Sequence, residues 1–165
     1  MTVSVRPLRD SDIPGVVEFS LRAWQPVFES FQQVMGPAIF SRVYRDWRAG
    51  QARAVEETCR EHLARSWVAD EDGHPVGFVV VVLLDRDGLR SGEIEMVAVD
   101  PRCQNQGIGL RLVTHAVAEM GKLGLPLAEI GTGGDPGHAA ARHVYEKAGF
   151  TAMPQVRYYK ALPGG

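Results

Sequence analysis

Residues 97–113, VAVDPRCQNQGIGLRLV, constrain the fold more than any other stretch. Val97–Val99 end an apolar, strand-like run, and Asp100-Pro101 stops it. A polar loop follows, then Gly107 and Gly109, then apolar residues at helical spacing. A strand feeding a helix through so short a loop is half of a β–α unit, which implies an α/β architecture. A helix start carries backbone N–H groups without intrahelical partners and the positive end of the helix dipole. Two positions without side chains let a bulky anion approach those groups closely. The stretch therefore reads as a cradle for phosphate or pyrophosphate, with Gln104 and Asn105 as added donors. A plain strand-to-helix turn that uses glycine for freedom would look similar.

The rest of the chain supplies elements for that unit to pack on. VSVRPL at 3–8 reads as a strand. Asp10-Ser11-Asp12 and Pro14 start a helix that Pro26 ends or kinks, and residues 27–35 form a second short helix broken at Gly36-Pro37. Residues 38–64 read as a longer helix. Strands follow at 66–70, 75–84 and 89–100, separated by turns at Glu71-Asp72-Gly73-His74 and Arg86-Asp87-Gly88. The run VGFVVVVLL at 76–84 is a buried strand, far too short to cross a bilayer. Helix 107–123, strand 126–133, helix 136–149 and strand 155–162 complete the order. The expectation is one mixed α/β domain over residues 1–165, without repeats.

Composition narrows the function. With 165 residues, 45% hydrophobic and 23% charged, the chain is an ordinary globular sequence. Its formal net charge of −2 argues against a dedicated nucleic-acid binder. Cys59 and Cys103 show no metal-ligand spacing and read as free thiols in a reducing, cytoplasmic setting. MTVSVRPLRD has no apolar signal core. No metal site, membrane or nucleic-acid partner is expected.

Two nucleotide motifs fit the loop poorly. A dinucleotide-binding G-x-G-x-x-G would need glycine where Leu112 stands, and a Walker A loop would need Lys-Ser where Arg111-Leu112 stand. The six residues Gln104-Asn105-Gln106-Gly107-Ile108-Gly109 instead resemble the Q/R-x-x-G-x-G/A signature of the GNAT acetyltransferase superfamily. VAVDP before them and AAARHVYEKAGF at 139–150 resemble that family's flanking strand and its A-x-x-x-Y-E-K-x-G-F hallmark.

The resemblance implies a central, mostly antiparallel sheet that splays at a cofactor cleft and is flanked by helices. It implies acetyl-CoA as cosubstrate, with pantetheine along Val97, Ala98 and Val99 and pyrophosphate on the backbone of Gln104, Asn105, Gln106, Gly107, Ile108, Gly109 and Leu110. The acetyl-CoA site would span about 95–150, and the N-terminal helices, about 11–64, would form the acceptor side. Arg102 and Arg111 would steer the coenzyme's phosphates, or simply be solvated.

Acetyl transfer to a primary amine then needs an acid for the departing sulfur and a base for the amine, in a ternary complex without a covalent enzyme intermediate. Tyr145 takes the family's tyrosine position and is the expected acid. Glu93 and Glu95, in GEIEMVAV, are the expected bases. Strand alternation would put residues 93, 95, 97 and 99 on one face. Counted without gaps from Gln104, Glu93 matches the base of the family's histone-acetylating branch, while Glu95 lies nearer the expected thioester. A solvated strand end would show the same two glutamates.

His138 stands where the family commonly has Asn, seven residues before the tyrosine. It is a candidate pantetheine contact or second base. The glycines of GTGGDPGH, 131–138, would widen the acceptor side. Trp24, Phe28, Phe31 and Trp47, with Glu18 and Glu29, are available to an amine acceptor, which is a small molecule or a peptide or protein amine. VRYYKAL at the C-terminus offers an edge for a homodimer. The competing classes are a non-catalytic acyl-CoA-binding module and a dinucleotide-dependent oxidoreductase.

Overall fold

The computed structural model describes residues 2–164. Five strands form one sheet in the order β1 (Val3–Pro7), β2 (Ser66–Glu71), β3 (His74–Arg86), β4 (Leu89–Val99) and β5 (Ala128–Ile130). The first four pair antiparallel, and β4 pairs parallel with β5 through Gly92–Ile94 and Ala128–Ile130. Helices α1 (Ile13–Met35), α2 (Pro37–Val43) and α3 (Trp47–Glu61) precede β2. Helix α4 (Ile108–Lys122) crosses from β4 to β5, and α5 (Ala139–Lys147) follows β5. Both expected hairpin turns are present, with left-handed pairs at Asp72-Gly73 and Asp87-Gly88.

The sheet is covered on both faces, which is why β3 needs valine on both. Phe78 and Val80 join Val16, Phe19, Val55 and Cys59 in a core under α1 and α3. Val79 and Val81 join Ile108, Leu112, Val113, Ala116 and Met120 in a second core under α4. Helix α4 lies unusually close to the sheet. A Cβ on Gly77 would stand 2.9 Å from Leu112 Cδ1 and 3.2 Å from the Ala98 carbonyl oxygen, and one on Gly92 would stand 2.7 Å from Met120. Two glycines in neighbouring strands thus seat the two ends of the helix.

Three expectations are corrected. Helix α1 runs unbroken through Pro26, although proline removes one internal hydrogen bond. Both flanks are held by packing that a break would undo: Phe19 against Phe78 on one side, and Phe28 stacked on Trp47 at 4.3 Å on the other. The expected helix over 38–64 is two helices. Tyr44 leaves helical geometry, and Asp46 caps α3 by accepting from the Ala49 amide. Residues 151–162 form no strand. The segment is rich in β-formers, but Tyr158-Tyr159 breaks the alternation, and Val156 and Tyr158 are 76% and 88% exposed. The expected dimer edge is therefore not formed as a strand.

The seating of α4 gives a stability test. Gly77→Ala should cost about 1–3 kcal/mol, the usual range for overpacking. Chemical denaturation should show a lower midpoint with an unchanged slope.

Candidate active site

Strand β4 continues to Val99, but its ladder with β5 stops at Ile94 and Ile130. Pairing of the two parallel strands therefore ends short of the carboxyl end of β4, and carboxyl ends are the place where open α/β sheets bind ligands. Asp100 anchors the loop that follows. It is 2% exposed, accepts from the Arg102 amide, and pairs with Arg102 at 2.7 Å and Arg22 at 3.1 Å. Arg102 pairs with Asp100 while most of its side chain stays exposed.

The cradle then forms. Asn105 and Gly107 are left-handed at φ 61° and 78°, and α4 begins at Ile108. The first amide to find a helical carbonyl is Arg111, on Gly107. Among the described residues, no protein acceptor serves the amides of 104–107, and those of 108–110 are the orphans of the first turn. Gly107 is explained by its backbone angle. Gly109 is not, because it has helical geometry and a Cβ there would meet only Val99 Cγ2, at an ordinary 3.8 Å. The protein's own packing does not require this glycine. A phosphate group lying across the amides does, and the site fits the coenzyme on that ground. Gln104 Nε2 donates to the Val99 carbonyl at 3.1 Å, tying the loop to the strand end.

The expected catalytic residues fall on two sides of the sheet. Tyr145 packs with Val144 against the core under α4. Burial pushes its phenol up to about 12, so it stays protonated at neutral pH. Glu93 and Glu95 do not share a face with Val97 and Val99, as simple alternation implied. Val80 pairs with Met96 and Val81 with Ile94, so Glu95 is an extra residue, a β-bulge. Parity inverts there: Ile94 joins Val97 and Val99 on the α4 side. Glu93 sits opposite Val82, whose i−2 neighbour Val80 is in the α1 core. Burial, then the charges of Glu95 and Glu129, raise Glu93 above the usual carboxylate range.

Comparisons with known proteins agree with this geometry. A family model described as the acetyltransferase (GNAT) family matches residues 24–150. The chain belongs to the GNAT acetyltransferase family. The mycothiol acetyltransferase of Propionibacterium freudenreichii subsp. shermanii is 30% identical over 122 residues, covering 68% of this chain and 38% of that protein. The mycothiol acetyltransferase of Sanguibacter keddieii is 29% identical over 148 residues, covering 84% and 44%. The chain thus spans less than half the length of these relatives. PaiA N-acetyltransferase from Thermoplasma acidophilum, solved with coenzyme A, superposes with a TM-score of 0.73 at 16% identity over 94% of each chain. At that identity the likeness is one of fold.

The amides of 104–110 that have no protein acceptor are where the expected pyrophosphate of acetyl-CoA would lie. Several acceptor-side residues are placed differently from expectation. Trp24 packs edge-on against Phe78 in the core. Glu18 is paired with Arg22 and Glu29 accepts from Gln25. Phe31 stacks on Tyr44 at 5.4 Å, and Tyr44 was missed. So was Asp135, although Asp-Pro-Gly before a helix is a capping signal. It accepts from Ser30 Oγ at 2.6 Å and from the Gly137 amide at 3.1 Å, and its other oxygen meets His138 Nδ1 at 2.5 Å. The glycines of 131–138 do not simply widen the cleft. A Cβ on Gly133 would stand 2.6 Å from His138 Nδ1, and one on Gly137 2.6 Å from Ser30 Cβ.

Two outcomes follow. Gly109→Val should weaken acetyl-CoA binding about ten- to a hundredfold, matching 1–3 kcal/mol of steric cost, with an unchanged melting temperature. Calorimetric titration beside thermal melting checks both. Glu93→Gln should raise the melting temperature at neutral pH. A carboxyl whose value is raised on folding destabilises the fold once ionised, so the gain should vanish below about pH 4, where both states are protonated.

Proposed function

We propose that the protein moves the acetyl group of acetyl-CoA directly to a primary amine while both substrates are bound. The observation that carries this is that the β4–β5 ladder ends short of the carboxyl end of β4. An acyl chain entering there would run between the α4 face, with cradle and Tyr145, and the α1 face, with Glu93. A thioester held on the cradle side would meet an amine arriving from the other.

Glu93 and Glu95 draw in the ammonium and accept its proton, freeing the lone pair. Glu93's raised value makes it a better proton acceptor than an ordinary carboxylate. Tyr145 donates to the departing sulfur. Among the described residues no protein group accepts a hydrogen bond from its hydroxyl, which leaves it available. No nucleophile is required: burial pushes the Cys59 thiol up to about 12, and Cys103 is raised too.

The acceptor is a small-molecule amine or a peptide or protein amine. The wall over its side is aromatic, built from Phe28, Phe31, Tyr44 and Trp47, with a shallow cavity of about 180 Å³ beside it. Mycothiol acetyltransferase relatives support an amine acceptor of this kind.

Calorimetric titration with acetyl-CoA, with NADPH as control, followed by a primary-amine panel read by thiol release, tests the reading. Saturable acetyl-CoA binding and turnover with at least one amine are expected. NADPH binding without acetyl-CoA binding would overturn it. Tyr145→Phe should lower kcat about a hundredfold, within the range for a general acid, with acetyl-CoA affinity retained.

A further inference from the structure

An ammonium that becomes an amide nitrogen gives up two protons. The first must leave before attack, because it occupies the lone pair. The second leaves after the C–N bond forms. The departing thiol takes up one proton, so the overall reaction releases one. Tyr145 serves the sulfur and the Glu93–Glu95 pair serves the ammonium. The second nitrogen proton still needs an acceptor.

We propose that His138 Nε2 accepts that second proton, and that Asp135 and Ser30 are positioning residues that hold it in the competent tautomer. This rests on the acetyl-transfer reading above. Both oxygens of the Asp135 carboxyl are engaged: Oδ1 with His138 Nδ1 at 2.5 Å, Oδ2 with the Ser30 hydroxyl at 2.6 Å and the Gly137 amide at 3.1 Å. Burial opposes ionisation of Asp135, but the hydrogen bonds from Ser30 and His138 outweigh it and hold the carboxyl below its usual range. An ionised carboxylate only accepts, so Nδ1 carries the hydrogen of the neutral ring and Nε2 is left with its lone pair free to accept.

The chain has shaped itself around this unit. Gly133 and Gly137 are the two glycines of the loop whose Cβ atoms would collide with it. Arg142 of α5 fixes the loop by donating to the Gly133 and Asp135 carbonyls at 2.7 and 2.8 Å. The segment follows β5 directly, where its ladder with β4 has ended, and abuts α1. Its imidazole lies 5.4 Å from the Phe31 ring, on the aromatic wall of the acceptor side. The titratable and charged groups around His138 are Asp135 and Arg142, with Tyr44, just past α2, on the far side of Phe31.

The first test needs no turnover. Long-range ¹H–¹⁵N spectra of the labelled protein, alone and saturated with acetyl-CoA, report each ring nitrogen, with His138→Gln assigning the signal. In the neutral ring Nδ1 should carry the hydrogen and Nε2 should be bare. A neutral ring protonated on Nε2 would overturn the proposal. The second test is acetyl transfer to hydroxylamine. His138→Gln should lower kcat on the order of a hundredfold and remove one limb of the pH profile. Asp135→Asn should lower kcat at least about tenfold through the wrong tautomer, with KM for acetyl-CoA unchanged. A wild-type pH profile in His138→Gln, with acetyl-CoA still bound, overturns this proposal alone. Failure of the wild type to bind acetyl-CoA overturns the reading beneath it.

Discussion

The seating of α4 on β3 and β4 is the constraint on which the site depends. A phosphate cradle is only as definite as the position of the helix start that forms it. Here that start is fixed from below by Ile108 and Leu112 against Gly77, and the far end by Met120 against Gly92. Asp100, pinned between Arg22 and Arg102, sets where the loop leaves the strand. Amides 104–110 can then be presented outward without collapsing onto the protein's own acceptors. The same contacts that bury the helix preorganise the binding surface.

The β-bulge at Glu95 is the second device. Without it, Glu93, Glu95, Val97 and Val99 would line one face, and the acidic pair would lie beside the coenzyme's own negative charge. One extra residue inverts parity, so the carboxylates face α1 while Val97 and Val99 face α4. Alternation in the sequence is blind to this, because a bulge is a property of the pairing with β3 and not of β4 alone. GEIEMVAV reads as an unbroken strand whether or not it contains one.

What could be read from the sequence was local or carried by backbone chemistry. Asp72-Gly73 and Asp87-Gly88 dictate tight hairpins, Gly36-Pro37 breaks a helix, and Gly107 must be left-handed at the mouth of α4. The family resemblance was legible because it rests on such positions, together with Tyr145. What could not be read was tertiary. Pro26 is carried inside a helix because aromatic packing on both flanks outweighs one lost hydrogen bond. The strand expected at 155–162 does not form despite its β-formers, for Val156 and Tyr158 bury little and Tyr158-Tyr159 breaks the alternation. Asp135 belongs to a network whose other member, Ser30, is 105 residues away in the chain.

These placements divide the chemistry by environment. Proton transfer in both directions at one pH requires groups whose surroundings push them apart. Tyr145 lies among apolar residues, where the phenolate is disfavoured and the proton is kept for sulfur. Glu93 and Glu95 crowd one another on the opposite face, which makes Glu93 readier to take a proton. In the proposed reaction the nitrogen would sit on the charged side and the sulfur on the apolar side. The groups serving nitrogen and sulfur would thus lie on opposite sides of the sheet, and the extra residue at 95 is what keeps the Glu93 carboxyl off the α4 side.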